Sequence, residues 1–310
     1  MTRSVSRSPT ATVALPARPW RVVWIAAVAG FLLSVVWSAQ FVDQTIGANV
    51  AGTILGRDAA EAPIAGILSG VVYAFTTGLA GTFTACNIAA LGAVAPMLGE
   101  RSSALARVRE TLRPLGWLCV GMLAVSGVYG AVVGFVGTAM PQFSTASSAS
   151  GLVPRNVQSM VVFGLIGVVF VYLGLASLGV VPDPLASISQ RFPNARMVLM
   201  GALIGGFLIG RPFGLFRKLF RDAAESHNPL YGALAFMLQS AGNIVIMALL
   251  FVVLALGLGD RTRRWLAARP GRAALITGAI FITVGVFTVL YWDLRMLAFR
   301  DVIWYPVLWR

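Results

Sequence analysis

Charge is what this 310-residue chain has least of: only 11% of its residues are Asp, Glu, Lys or Arg. A soluble domain carries about 25%, so a water-facing globule is excluded. Histidine occurs once, as His227, with no Cys, Asp or Glu spaced around it as a ligand set. No metal site is therefore expected, and no cofactor. The two cysteines, Cys86 and Cys119, both lie in apolar surroundings, which excludes a small scaffold stapled by disulfides. Lysine occurs only at Lys218. Phosphate-binding loops, dinucleotide-binding glycine motifs, zinc signatures and a Ser-His-Asp order are all missing, so a conventional soluble active site is not expected.

Apolar residues are what the chain has in excess: 58% are hydrophobic and the mean hydropathy is +0.82. Val22–Val42, Ala62–Gly99, Pro114–Pro154, Asn156–Pro182, Ser226–Gly259 and Ala273–Trp292 hold no charged residue. A spanning helix needs about 20 apolar residues, and each run reaches that length. The expectation is an all-α integral membrane protein in contact with the lipid bilayer. The net charge of +13 then reads as arginine flanking apolar runs, the usual orientation signal of membrane proteins. Nucleic acid is not an expected partner, since no matching motif occurs.

The runs predict about seven spans. Residues 1–21 are polar, rich in Ser, Thr, Pro and Arg, and read as a disordered basic tail. A signal peptide is the competing reading, but the run over 22–42 exceeds the usual apolar stretch of about 7–15 residues, so it is taken as a retained first span. The second lies in Ala62–Gly99. As one helix those residues would extend roughly 57 Å, against a hydrocarbon core of about 30 Å, so a break is expected at Thr82–Asn87 and at Pro96. Leu115–Met140 and Met160–Val181 are the third and fourth spans, separated by the polar loop Ser144–Gly151. Met197–Gly210 is the fifth. Arg196 and Arg211 confine it to roughly 21 Å, too little to cross alone. The sixth and seventh are Leu230–Leu258 and Ala273–Tyr291.

With the N-terminus inside, Arg3, Arg7, Arg18, Arg21, the arginines from 101 to 113, Arg191, Arg196 and those from 261 to 272 share the inner side and outnumber the outer bases. The cluster Arg211–Arg221 offends that rule. Either the fifth span stops short, or Phe213–Phe220 is a packed half-helix whose bases face a polar cavity; the second is the expectation. Two triplets follow, 63–182 and 197–292, with 22–42 added in front and 293–310 as a tail. An odd number of helices per triplet makes the two face opposite ways. Interrupted lead helices at matching places in two halves point to a binding site near the bilayer midplane.

The stretches that carry this pattern are Gly78-Leu79-Ala80-Gly81-Thr82-Phe83-Thr84-Ala85-Cys86, Gly205–Gly214, and Tyr231-Gly232-Ala233-Leu234 followed by Gln239-Ser240-Ala241-Gly242-Asn243. Over roughly Pro63–Trp292 they resemble the transmembrane thiol–disulfide carriers of cytochrome c biogenesis, the CcdA/DsbD type. The resemblance implies two inverted triplets in a bacterial-type inner membrane, and the arginine bias puts the N-terminus on its cytoplasmic side. It also implies electron passage from thioredoxin-like proteins to extracytoplasmic redox or maturation partners. Family members break each lead helix at a Pro-Cys. Here Ala85 precedes Cys86, and Phe213 follows Pro212 where the second cysteine would stand. A two-electron relay needs a second thiol to resolve the mixed disulfide made by the first.

Each candidate residue has two readings. Cys86 is the candidate redox thiol of the resemblance or a small packed side chain, and Cys119 a resolving thiol or packing. Asn87, Gln239 and Asn243 either line a cavity or bridge helices; Gln239 and Asn243 are four apart and share a helix face. Arg211, at the second break beside Pro212, either meets an anionic ligand or snorkels to the headgroups. Met197 and Met200 read as core filler, and the pairs Gly66/Gly70 and Gly130/Gly134 as close helix contacts. Two further functions stay open: a carrier of a small anionic or polar solute on the same frame, and a non-catalytic assembly scaffold.

Overall fold

The computed structural model describes residues 18–38, 48–56, 64, 66–81, 104–144, 152–210, 214–269 and 271–308. Its elements are helices, with no strand among the described residues. In chain order they are α1 Pro19–Val36, α2 Ala48–Leu55, α3 Gly66–Ala80, α4 Ala104–Val136, α5 Pro154–Ser177, α6 Ala186–Arg191, α7 Ala195–Gly210, α8 Gly214–Glu225, α9 Pro229–Ala267 and α10 Arg272–Val289. A π-helical turn, Leu290–Leu294, carries α10 into the short α11, Arg295–Ala298.

Local chemistry sets the helix ends. Pro19 and Pro154 open α1 and α5, where a missing N–H costs nothing and the fixed φ is already helical. After α5, Gly179 adopts φ 72°. Its N–H reaches Ala176 O at 3.0 Å and the Val180 N–H reaches Leu175 O at 3.0 Å, which is the Schellman closure that a left-handed residue allows. The chain then runs through Pro182 and Pro184, which cannot continue a helix.

Among the described residues five helices are long and apolar enough to cross a membrane, and α7 with α8 makes a sixth if that pair, bent by 85°, counts as one. This is a multi-pass membrane protein. The 15-residue α3 is shorter than a span, and the break expected at Thr82–Asn87 and Pro96 lies outside the described residues. Helix bounds differ from the apolar runs in a regular way. α4 begins before Leu115 and α9 runs on past Leu258, because a helix continues through its polar flanks once it leaves lipid. α1 begins and ends earlier than 22–42. Trp24, Phe135 and Leu165 are 70, 78 and 65% exposed; on helices of this apolarity such surface faces acyl chains.

Paired residues give each helix its direction. Ala26 and Ser34 on α1 meet Thr283 and Arg295 in the same order, so α1 and α10 run parallel. Leu118 and Met122 on α4 meet Gly201 and Gly205 on α7, also parallel, and Gly70 and Gly78 on α3 meet Tyr231 and Gln239 on α9, again parallel. Gly130 and Gly134 on α4 meet Gly232 and Asn228, so α4 and α9 are antiparallel, as are α5 and α10 through Gly167–Gly285 and Gly174–Gly278. Ile166 and Phe163 on α5 meet Gly206 and Gly210, which sets α5 against α7. Hence α1, α4, α7 and α10 start from one face, called here the first, and α3, α5 and α9 from the other, the second.

These pairings are symmetric under exchange of the triplets. A methyl placed on Gly121 of α4 would overlap Val198 O of α7, and one on Gly242 of α9 would overlap Phe75 O of α3. Reciprocally, Gly201 of α7 lies over Leu118 O, and Gly78 of α3 over Gln239 O. The two lead helices thus cross the two middle helices by the same backbone-to-backbone contact. The expected close contact at Gly130/Gly134 is present, whereas Gly66 has open space beside it. Met197 and Met200 are buried in the core between α4, α5, α7, α9 and α10.

α8 accounts for the basic cluster that broke the arginine pattern. Leu215, Phe216, Leu219, Phe220, Ala223 and Ala224 are buried, on one helix face, against Tyr129, Val133 and Phe236. Arg217 and Arg221 are exposed. A packed amphipathic half-helix is thus present, over Gly214–Glu225 rather than Phe213–Phe220, with Arg217 and Arg221 on its exposed side; the polar cavity expected to face these bases is not shown.

Candidate functional site

Buried polar side chains gather where α3 ends. Thr76 and Thr77 on α3, Ser126 on α4, and Gln239, Ser240 and Asn243 on α9 are all buried. Gln239 is ten residues from the start of α9, or about 15 Å at 1.5 Å per residue, which is halfway through a hydrocarbon core of about 30 Å. The hydroxyls satisfy themselves locally. Thr77 Oγ1 donates to Ala74 O at 2.8 Å, Ser126 Oγ to Met122 O at 2.7 Å, and the Ser126 and Ser240 hydroxyls share a bond of 2.5 Å between helices. Gln239 differs: its Oε1 is buried and has no partner among the described residues. A buried unpaired acceptor costs about 1–3 kcal/mol, a cost that a partner group bound beside it would remove.

Small residues bring the amides here. Gly78 and Gly242 let the α3 and α9 backbones touch, and that contact falls at Gln239 and Asn243 themselves. The chain leaves α3 at Gly81, whose N–H bonds Thr77 O at 3.0 Å. Cys86 and Asn87 follow within a few residues and lie outside the described residues, as do Arg211 and Pro212.

A second polar group closes the end of α7. The last carbonyls of a helix have no partner within it. Ser159 Oγ lies 2.6 Å from Gly210 O, and Gln158 Nε2 donates to Ile209 O at 2.9 Å. Gln158 Nε2 also reaches Tyr129 Oη at 2.9 Å, and Tyr129 donates on to Gln142 Oε1 at 2.9 Å. Phe163 packs against Gly210 and stacks on Trp292 with ring centroids 4.5 Å apart. The sequence reading missed Gln142, Asn156, Gln158 and Ser159. Asn156, Gln158 and Ser159 were visible as polar residues at the edge of a charge-free run, but only packing shows that Gln158 and Ser159 cap a different helix.

Of the other predicted residues, Cys119 is a free, part-exposed thiol on α4. It sits between Leu118, buried at the Gly201 crossing, and Val120, which faces lipid. Gln239 and Asn243 come together as expected. Comparison with family models, with curated proteins and with solved structures finds no match for this chain.

Proposed function

We propose that this protein is a membrane carrier of the inverted-repeat kind, handling its cargo where α3 stops against α9. The observation that carries this reading is the exchange symmetry of the glycine crossings, Gly121 and Gly201 on one side, Gly242 and Gly78 on the other. Such a frame supports alternating access around a site near its centre. The cargo follows from the resemblance to the thiol–disulfide carriers: reducing equivalents, passed across a bacterial-type inner membrane toward extracytoplasmic proteins under maturation. In that reading a thioredoxin-like dithiol reduces a Cys86–Cys119 disulfide by two-electron exchange and leaves as its own disulfide. The excess of arginine at the first face supports a cytoplasmic N-terminus.

A second reading has its own support. Phe213 stands where the second family cysteine would be, and Gln239 Oε1 offers an unused polar contact in the interior. Both favour a small polar or anionic solute held by Gln239, Asn243 and Arg211. The test uses the protein in proteoliposomes and in cells. A mixed disulfide with a thioredoxin-like protein, lost in Cys86→Ser, selects the redox cargo. Full function of Cys86→Ser, with failure of Arg211→Ala and Gln239→Leu, selects the solute. If none of the three variants alters any transmembrane flux or redox state, the carrier reading is wrong.

A further inference from the structure

One acid is packed among apolar helices. Asp293 follows directly on the charge-free run of α10 and sits in the π-helical turn Leu290–Leu294, a backbone form that interrupts the α-helical pattern and recurs at functional places. The turn packs on α5 and on α1. A methyl placed on Gly164 of α5 would lie 3.2 Å from both carboxylate oxygens of Asp293. The acid therefore rests on the α5 backbone, roughly 15 Å past Pro154 along that helix, within its charge-free stretch 156–182. Asp293 Oδ2 is buried and has no hydrogen-bond partner among the described residues, and no ion pair there includes this acid. The packed helices bring no countercharge: α5 carries no charged side chain past Arg155, and α1 none past Arg21. Of the titratable groups on the acid's own segment, Arg295 donates to Ser34 O and Trp37 O of α1 and lies over the Tyr291 ring. Tyr305 is bonded to Ser34, and Arg300 and Asp301 are exposed.

A carboxylate buried beside apolar helices without donor or cation is costly, and binding a proton removes its charge. The neighbouring Trp292 stacks on Phe163 of α5 with ring centroids 4.5 Å apart. Phe163 lies 5.2 Å from the Phe207 ring of α7, and a methyl on Gly210 would come within 2.8 Å of Phe163. A line of aromatic rings thus joins the π turn to the last turn of α7. We propose that Asp293 is a proton-binding site whose occupancy sets how firmly the end of α7 is held. Bound, the proton forms an O–H bond on the carboxyl group, and the neutral acid stays against Gly164 with the Trp292–Phe163 stack closed. When the proton leaves to water, the carboxylate turns toward solvent, the stack loosens and the end of α7 is freed. Proton binding here is independent of which cargo, if any, the protein carries.

The experiment uses the purified full chain in nanodiscs. Infrared difference spectra between alkaline and acidic buffer should show a carboxyl C=O stretch at the high frequency of an acid without hydrogen bonds. The band should be lost in Asp293→Asn and kept in Asp301→Asn, an exposed control. Hydrogen exchange over Leu208–Gly210 is then compared between proteins at one pH. In alkaline buffer it should be severalfold slower in Asp293→Asn, which mimics the loaded acid, than in the unmodified protein. In acidic buffer the two should agree, and in a Phe163→Leu background Asp293→Asn should change nothing at either pH. Should Asp293→Asn fail to fold, Asp293→Glu serves in its place, and the band should pass from an isotope label on aspartate to one on glutamate. No high-frequency carboxyl band at any pH, or a band unchanged by substitution of Asp293, overturns the site. Equal exchange at the end of α7 in alkaline buffer with and without Asp293→Asn overturns its hold on α7.

Discussion

Arg295 is buried to 2% exposure, which for an arginine demands partners. Its Nη1 donates to Ser34 O at 2.8 Å and to Trp37 O at 2.6 Å, the terminal carbonyls of α1. Its guanidinium also lies 4.8 Å from the centre of the Tyr291 ring. A cation on a helix C-terminus satisfies orphan acceptors and the dipole together. Charged hydrogen bonds contribute about 1.5–3 kcal/mol, so Arg295→Met, which keeps much of the stem, should release the end of α1. Hydrogen exchange should then quicken over the last turn of α1 and leave α9 unchanged. Gln239 predicts the opposite behaviour. Since its Oε1 has no partner among the described residues, Gln239→Leu should keep or raise the unfolding temperature, and under the solute reading it should abolish the flux; a fall of several degrees would make Gln239 a structural residue.

Among the elements, the paired glycine crossings invite a direct test. Each added methyl at Gly78, Gly121, Gly201 or Gly242 meets a carbonyl oxygen and should cost about 1–3 kcal/mol. Gly121→Ala and Gly201→Ala act on one helix pair, so their combination should cost less than the sum. Gly78→Ala and Gly201→Ala share no partner and should add within about 0.5 kcal/mol, read from denaturant midpoints. Much at this scale was legible from the sequence. Charge-free runs located the long helices because lipid tolerates few charges, and Arg196 with Arg211 revealed the shortness of α7. The relation between the triplets was legible too, since odd repeats invert. What stayed hidden depends on contact between distant segments. Nothing near Gln158 or Ser159 in sequence announces the end of α7, and only the assembled bundle shows that Gly121 and Gly242 play the same part. The helices run past the expected spans where charge continues them beyond the lipid, as at Ala104 and Ala267.

Over the whole molecule, the alternation of helix directions places the start of α1 and the end of α10 on opposite faces. In a Cys86→Ser/Cys119→Ser background, Arg18→Cys and Leu308→Cys should therefore label oppositely. A membrane-impermeant maleimide should reach Cys at 308 in intact cells and Cys at 18 only after permeabilisation. Labelling of both from one side would overturn the alternation. The same layout leaves Arg217 and Arg221 on the second face without contradicting the arginine bias, because α8 carries its bases along the surface of the bundle, its apolar side already packed.

The bare-backbone crossings bear on motion as well as stability. Side chains that interlock act as teeth, and shifting one toothed helix past another means lifting each out of its slot. At Gly78–Gly242 and Gly121–Gly201 the surfaces in contact are smooth, held by van der Waals attraction and weak Cα–H···O contacts. Such a joint behaves as a plain bearing. It resists separation yet offers little friction to sliding, and this molecule has two of them, set head to tail on either side of the α4–α9 pair.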